Sequence, residues 1–99
     1  MVLVKLHKHD GRMLAAVCDE DLYGKRFEEG VVQLDLTGEF YKGEIKTTDE
    51  AGDIIRNADH VNLVGPKSIQ LGLQEGVIDE HHVRHVQGVP YAQAALLHD

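Results

Sequence analysis

The sequence is poor in cysteine, proline and aromatic residues: its 99 residues include one cysteine, two prolines, five aromatic residues and no tryptophan. Because Cys18 stands alone, disulfide scaffolds and cysteine-ligated zinc sites are excluded. The longest apolar run, from Met13 to Cys18, is far shorter than the roughly 20 residues of a membrane helix. The start of the chain also lacks the apolar stretch of a signal peptide. These absences predict a soluble protein of the cytoplasm.

Positive charge is scarce as well, since 10 lysines and arginines stand against 17 acidic residues, for a net charge of −7. This balance argues against a domain whose whole surface binds phosphate backbones. The charge is uneven, because most acidic residues lie within residues 19–59, whereas the first eighteen residues carry a small positive excess. With 42% apolar residues the chain has enough material for one modest core, and we expect residues 1–99 to form a single domain.

Alternating apolar residues at the N-terminus predict a β-hairpin. Val2, Val4 and Leu6 share one face of a strand, and Asp10-Gly11 offers the chemistry of a tight turn. Asp19 is then expected to cap a single helical turn. Residues 13–17 form the second strand of this hairpin, and similar short patterns predict four more strands, at residues 31–36, 60–64, 83–87 and 90–96.

Two segments have helical signals. Apolar residues recur at helical spacing over residues 48–58, and Thr47 with Glu50 forms a capping-box pattern in front of them. A second helix is predicted to begin at Pro66 and to end near Gly76. The order β-β-β-α-β-α-β-β indicates an α+β domain: a mostly antiparallel mixed sheet of about five to six strands with two helices packed on it, with room for one parallel pair around the first helix.

The start of the second helix is a candidate anion site. A buried strand leads into Gly65, so free backbone N–H groups and the positive end of the helix dipole face outward, and Lys67 and Ser68 add a charge and a hydroxyl. Pro66 removes one donor, and the segment lacks the glycine spacing of a nucleotide-binding loop. An ordinary helix N-terminus accounts for the same residues, so both interpretations stay open.

The histidines and nucleophiles give no pattern typical of catalysis or metal binding. His81, His82 and His85 have a spacing that would make a metal clamp on a helix, but they fall in a predicted loop and strand, without cysteine or paired carboxylates. Ser68 is not surrounded by the sequence of a nucleophile elbow. Cys18 is predicted to be a small core or rim residue and not a nucleophile. We therefore expect no catalytic residue, no metal and no cofactor.

A local group of basic residues is the candidate nucleic-acid surface. Two of its five members are interleaved with the aromatic residues Tyr23 and Phe27, and a small basic patch with aromatic platforms is the minimum that an RNA surface needs. They are Lys5, Lys8, Arg12, Lys25 and Arg26.

Several segments together resemble a known family. The two most specific are Asn62–Gly65 and Gly88–Gln93, and the others are Val4–His7, Asp10-Gly11, Gly24-Lys25 with Phe27, and Glu29-Gly30. They are similar to the archaeal family called domain of unknown function 424, over about residues 2–97. The resemblance implies a small cytoplasmic α+β protein of archaea without an assigned activity, and association with RNA or translation.

Three functions remain open at this point. The leading hypothesis is a non-enzymatic binding or accessory module for RNA or a translation-related protein, using the basic residues. The second is a phosphate- or carboxylate-binding protein or enzyme that uses Gly65–Ser68. The third is a protein–protein interaction domain, with a homodimer through a free sheet edge as one form of it. No membrane partner is expected.

Overall fold

The computed structural model describes residues 1–96, in which eight strands and two helices form the fold. The strands are β1 (Val2–His9), β2 (Arg12–Asp19), β3 (Arg26–Glu29), β4 (Val32–Asp35), β5 (Glu44–Lys46), β6 (His60–Val64), β7 (Arg84–Val86) and β8 (Val89–Ala95), and the helices are α1 (Thr48–Arg56) and α2 (Pro66–Gln74). The predicted α+β class and element order are confirmed, and β3 and β5 are additional short strands. The predicted end of the domain, at residue 99, lies outside the described residues.

A tight hairpin joins β1 and β2. Asp10 and Gly11 both have positive φ angles, 52° and 77°, which is the conformation of a type I′ turn. The two strands pair over their whole length, from Val2 opposite Asp19 to His9 opposite Arg12. The hairpin predicted from the alternation and the Asp-Gly turn is therefore confirmed.

Six strands form one mixed sheet in the order β5-β1-β2-β6-β8-β7. The neighbours β2 and β6 are parallel, and the other neighbouring pairs are antiparallel. One parallel pair is thus present, as expected, and α1 lies in the connection between its strands. The central strand β6 lies between β2 and β8, which explains its apolar composition.

Both helices cover the same face of the sheet, which we call the helix face. The capping box at the start of α1 is confirmed, since the Glu50 N–H donates to Thr47 Oγ1 over 3.2 Å and the Thr47 N–H donates to Glu50 Oε1 over 3.2 Å. Buried side chains of both helices pack on those of the sheet, including Ile55, Ile69 and Leu63. Neither helix of the described chain is long and apolar enough to cross a membrane.

The opposite face of the sheet, which we call the second face, is only partly covered. The pair β3–β4 and the segment that follows it pack over one end of this face, where Leu36 and Tyr41 join Cys18 and Val64 in a smaller core. Towards the Asp10-Gly11 turn, His9 and Arg12 on this face are exposed. The fold therefore leaves part of a sheet surface facing solvent.

Candidate binding surfaces

An internal carboxylate occupies the start of α2. Asp19 is 2% exposed, and its Oδ1 accepts hydrogen bonds from the Ser68 N–H at 2.8 Å and the Ser68 hydroxyl at 2.9 Å. Its Oδ2 accepts from the Lys67 N–H at 3.0 Å. The positive end of this helix therefore already holds an anion, which the chain itself supplies.

Gly65 makes this arrangement possible. Its φ angle is 106°, and a Cβ atom there would lie 2.4 Å from the Asp19 carboxylate carbon. Glycine is needed because the carboxylate lies where a side chain would be. An external anion at the predicted site of Gly65, Lys67 and Ser68 would have to displace Asp19, and that site stays a prediction.

The prediction that Asp19 caps the turn directly after it is wrong. A 3-10 turn does follow at Glu20–Leu22, but the Asp19 side chain accepts no hydrogen bond from that turn. Its hydrogen-bond partners lie 48 and 49 residues further along the chain. Only the parallel pairing of β2 with β6, which puts Cys18 opposite Val64, brings Asp19 to the start of α2.

The five basic candidates fall on different parts of the fold. Lys5 and Arg12 lie on the second face, because they pair with Ala16 and His9 and paired residues share a face. Lys8 alternates with them and lies on the helix side of β1. Lys25 and Arg26 follow the far end of β2, beyond Asp19.

Arg26 also has acidic neighbours. Its Nη2 lies 2.8 Å from Glu28 Oε1, and it pairs across the two strands with Asp35. The hydrogen bonds from Thr37, together with the charge of Arg26, hold the pKa of Asp35 below its usual value. The charge of Arg26 is therefore partly balanced by its own strand pair.

The less covered part of the second face, where the side chains are half-buried or exposed, forms what we call the open sheet face. It consists of side chains from four adjacent strands that share this face by alternation and register: Lys5, His7, His9, Arg12, Leu14, His60, Asn62, Gln93 and Ala95. These four strands contribute no carboxylate to it. Two shallow depressions, of about 360 and 220 Å³, share Leu14 and His60 as lining residues.

Cationic side chains flank this surface on both sides. Lys5 and Arg12 lie on the β1–β2 side, and Arg84 pairs with Tyr91 on the β7–β8 side. Within residues 1–96 none of these three forms a salt bridge. A protein with a net charge of −7 thus has one sheet surface on which the formal charges are positive.

A stacked pair of rings borders the open sheet face. The rings of His7 and Phe40 lie 4.5 Å apart at an interplanar angle of 18°, and His7 Nε2 lies 2.8 Å from the Phe40 carbonyl oxygen. Because a carbonyl only accepts, Nε2 must carry the proton of this hydrogen bond. Phe40 is 41% exposed, so its ring is accessible beside the sheet.

The other histidines of interest are placed differently. Asp79 accepts a hydrogen bond from the His81 N–H at 2.8 Å, and the Asp79 N–H donates to His82 Nδ1 at 3.0 Å. This motif caps the 3-10 turn Glu80–His82. Within residues 1–96, no group of three or more histidine, cysteine, aspartate or glutamate residues has the arrangement of a metal site.

Cys18 and Tyr41 are buried in the smaller core. Desolvation by burial, with a contribution from the Asp19 charge, raises the pKa of the Cys18 thiol from 9.0 to about 12. Desolvation also raises the pKa of the Tyr41 phenol above its usual value. Neither group is an activated nucleophile at neutral pH, because only the ionised form is reactive.

We expect these two groups to make the protein sensitive to alkali. The unfolded thiol ionises near pH 9 and the folded thiol only near 12, so the stability that the neutral thiol contributes is fully present below pH 9 and is lost between those values. The free energy of unfolding, measured by urea titration, should fall as the pH rises above 9. The Cys18→Ala variant should show a shallower fall, and equal slopes would contradict this origin.

The fold and these surfaces define a small α+β domain with an open sheet face and, within residues 1–96, no group of side chains arranged to hold a metal ion. Residues 7–97 match the model of the family described as a protein of unknown function, DUF424, and the chain belongs to this family. The crystal structure of an uncharacterized conserved protein from Methanopyrus kandleri is similar, with 27% identity and a TM-score of 0.84. The match covers 97% of this chain and 91% of that one. Comparison with curated proteins gives no significant match.

Proposed function

We propose that this protein is a non-enzymatic module that binds single-stranded RNA on the open sheet face. The observation that carries the proposal is the uncovered sheet surface, which presents cationic, imidazole and amide side chains and no carboxylate from its four strands. A single RNA strand needs cationic groups for its phosphates and flat rings or amides for its bases.

The residues fit these tasks in different ways. Lys5 and Arg12 would contact phosphates, and Arg84 would do so at the other end of the surface. Asn62 and Gln93 pair with each other across β6 and β8, and their amides offer donors and acceptors to base edges. The exposed ring of Phe40, backed by His7, is a stacking platform for one base.

The shape of the surface favours an extended ligand over a small metabolite. The two depressions are shallow and adjacent, and together they follow the sheet from β1 to β8. A small molecule is normally bound in a concave pocket that encloses most of its surface. The expected cytoplasmic location and a role beside the translation apparatus agree with this proposal and remain predictions.

The proposal is tested by fluorescence anisotropy with labelled oligouridine. Arg12→Glu and Arg84→Glu should each weaken binding on the order of tenfold, since each loses a phosphate contact and adds a repulsive charge. Binding of the unmodified protein should also fall steeply with added salt. Lys67→Glu, which reverses an exposed lysine at the start of α2, is the matched control and should bind almost normally.

A second pair of variants tests whether RNA binds the open sheet face or the basic residues near β3. Lys25→Glu and Arg26→Glu should reduce RNA affinity less than Arg12→Glu does, because Lys25 and Arg26 follow the far end of β2. Absence of measurable RNA binding would overturn the proposal. A larger loss at Lys25 and Arg26 than at Arg12 would also overturn it, since RNA would then contact the β3–β4 side.

A further inference from the structure

The outer edge of β1 is only partly paired within the described chain. β1 has eight residues, Val2–His9, and β5 pairs with its first three, through Lys46, Ile45 and Glu44. No other strand of residues 1–96 pairs with this edge. The stretch from Lys5 to His9 is therefore an open strand edge.

The hairpin geometry shows which backbone groups face outward. In a two-residue type I′ hairpin the residues that flank the turn, here His9 and Arg12, form a hydrogen-bonded pair, and hydrogen-bonded pairs alternate along the ladder. Consequently, the N–H and C=O groups of Leu6 and Lys8 point away from β2. Val4, two residues earlier, has the same orientation and pairs with Glu44.

A groove of about 670 Å³ runs beside this edge. One wall is the chain that leads into β5, and the other includes Ile54 of α1, which is half-buried. At Gly43, which lines the groove, the chain passes close to the backbone of Val4 and Lys5, and the Gly43 N–H donates to the Tyr41 carbonyl at 2.9 Å. Leu6, at the edge itself, is 44% exposed.

The charges along the open edge of β1 indicate which kind of partner strand it would bind. The residues Lys5, Leu6, His7, Lys8 and His9 include two lysines and no acid. Two copies of this edge paired antiparallel would bring like charges together, which is destabilising for residues directly opposite each other. The glutamates in the groove wall, Glu39 and Glu44, already have lysine partners in Lys42 at 3.8 Å and Lys46 at 3.2 Å.

We propose that the open edge of β1 binds an extended acidic segment of a partner protein, which adds to the sheet as a further strand. The partner backbone would hydrogen-bond to Leu6 and Lys8, and its carboxylates would lie on the second face, beside Lys5. An apolar side chain of the partner would fill the groove against Leu6 and Ile54. Strand addition of this kind takes affinity from the backbone and specificity from alternate side chains.

The test uses two synthetic peptides, one alternating glutamate with valine and one alternating lysine with valine. In an ¹⁵N NMR titration of the whole protein, the acidic peptide should shift the amide signals of Leu6 and Lys8, and the basic peptide should not. Equal responses to both peptides, or shifts confined to other parts of the chain, would overturn the proposal.

Variants distinguish strand addition from simple charge attraction. Leu6→Pro removes an outward N–H and leaves the β1–β2 hydrogen bonds in place, since proline is tolerated where a strand edge faces solvent. It should lower the affinity for the acidic peptide at least tenfold. Lys5→Glu should lower it several-fold, and this variant carries the test if Leu6→Pro does not fold. Lys67→Glu is again the charge-matched control.

Two further outcomes have a defined meaning. If the unmodified protein is a dimer in solution and Leu6→Pro makes it a monomer, the edge binds a second copy, and the acidic-partner proposal is wrong. Oligouridine affinity should stay nearly unchanged in Leu6→Pro, because Leu6 lies on the helix face of β1 and is not part of the open sheet face. The inference therefore does not depend on RNA binding.

Discussion

Replacement of Asp19 by alanine should lower the free energy of unfolding by about 3 kcal/mol, a large share of the 5–15 kcal/mol that is usual for a single domain. The carboxylate accepts three hydrogen bonds, from the N–H groups of Lys67 and Ser68 and from the Ser68 hydroxyl. Without it, the buried donors of Ser68 lose their partner, and α2 loses the negative charge at its N-terminus. Urea denaturation followed by circular dichroism measures the change.

Two comparisons make this prediction specific. Ser68→Ala removes one of the three donors and should lower the free energy of unfolding by about 1 kcal/mol. Asp19→Asn keeps an oxygen acceptor without the charge and should lie between the two alanine variants. A loss below 1 kcal/mol for Asp19→Ala would show that the carboxylate does not stabilise α2.

The same variant addresses the predicted anion site. Once Asp19 is alanine, inorganic phosphate should raise the melting temperature, because the released N–H groups of Lys67 and Ser68 then face a vacant position. The unmodified protein should show a smaller response to phosphate. An equal or larger response in the unmodified protein would instead support an external anion site at Gly65, Lys67 and Ser68.

Elements that depend on local signals could be predicted from the sequence. The type I′ turn needs only Asp10-Gly11, and the first turn of α1 needs only Thr47 and Glu50, whose partners lie within three residues. Pro66 marks the start of α2 in the same way. In each case the stabilising groups are close in the chain, so the pattern is visible without the fold.

The strands β3 and β5 could not be predicted in this way. β3 has the sequence Arg-Phe-Glu-Glu, in which Phe27 is the one apolar residue, and β5 has only three residues. Each forms because a partner strand is available, β4 for the first and β1 for the second. Tertiary pairing outweighs weak strand propensity at these positions.

The candidate surfaces also depend on pairing between distant strands. Lys5 and Lys8 are close in sequence, but alternation along β1 puts them on opposite faces of the sheet. His60 joins the open sheet face because it pairs with Leu14 of β2, and Gln93 joins it through Asn62. These neighbours follow from the register of β2, β6 and β8, for which the sequence contains no local signal.

Replacement of Gly43 by alanine should lower the free energy of unfolding by about 3 kcal/mol, through a backbone clash that no side-chain rotation relieves. A Cβ atom at this position would lie 2.0 Å from the Val4 carbonyl oxygen and 2.7 Å from the Lys5 nitrogen. The chain must therefore move away from β1, and the pairing of Glu44 with Val4 is the first to be lost. Thermal unfolding measures the loss, and hydrogen exchange at Glu44 locates it.

Gly38→Ala is the matched control for this substitution. It lies in the same connection before β5, and a Cβ atom there has no neighbour within 4 Å. Its free energy of unfolding should change by less than about 1 kcal/mol, since alanine mainly restricts the unfolded chain. If Gly43→Ala is as stable as Gly38→Ala, the chain does not pass close to β1 at this point. The groove beside Leu6 would then differ in shape from the groove described above. In that case the acidic peptide should bind the Gly43→Ala and Gly38→Ala variants with equal affinity.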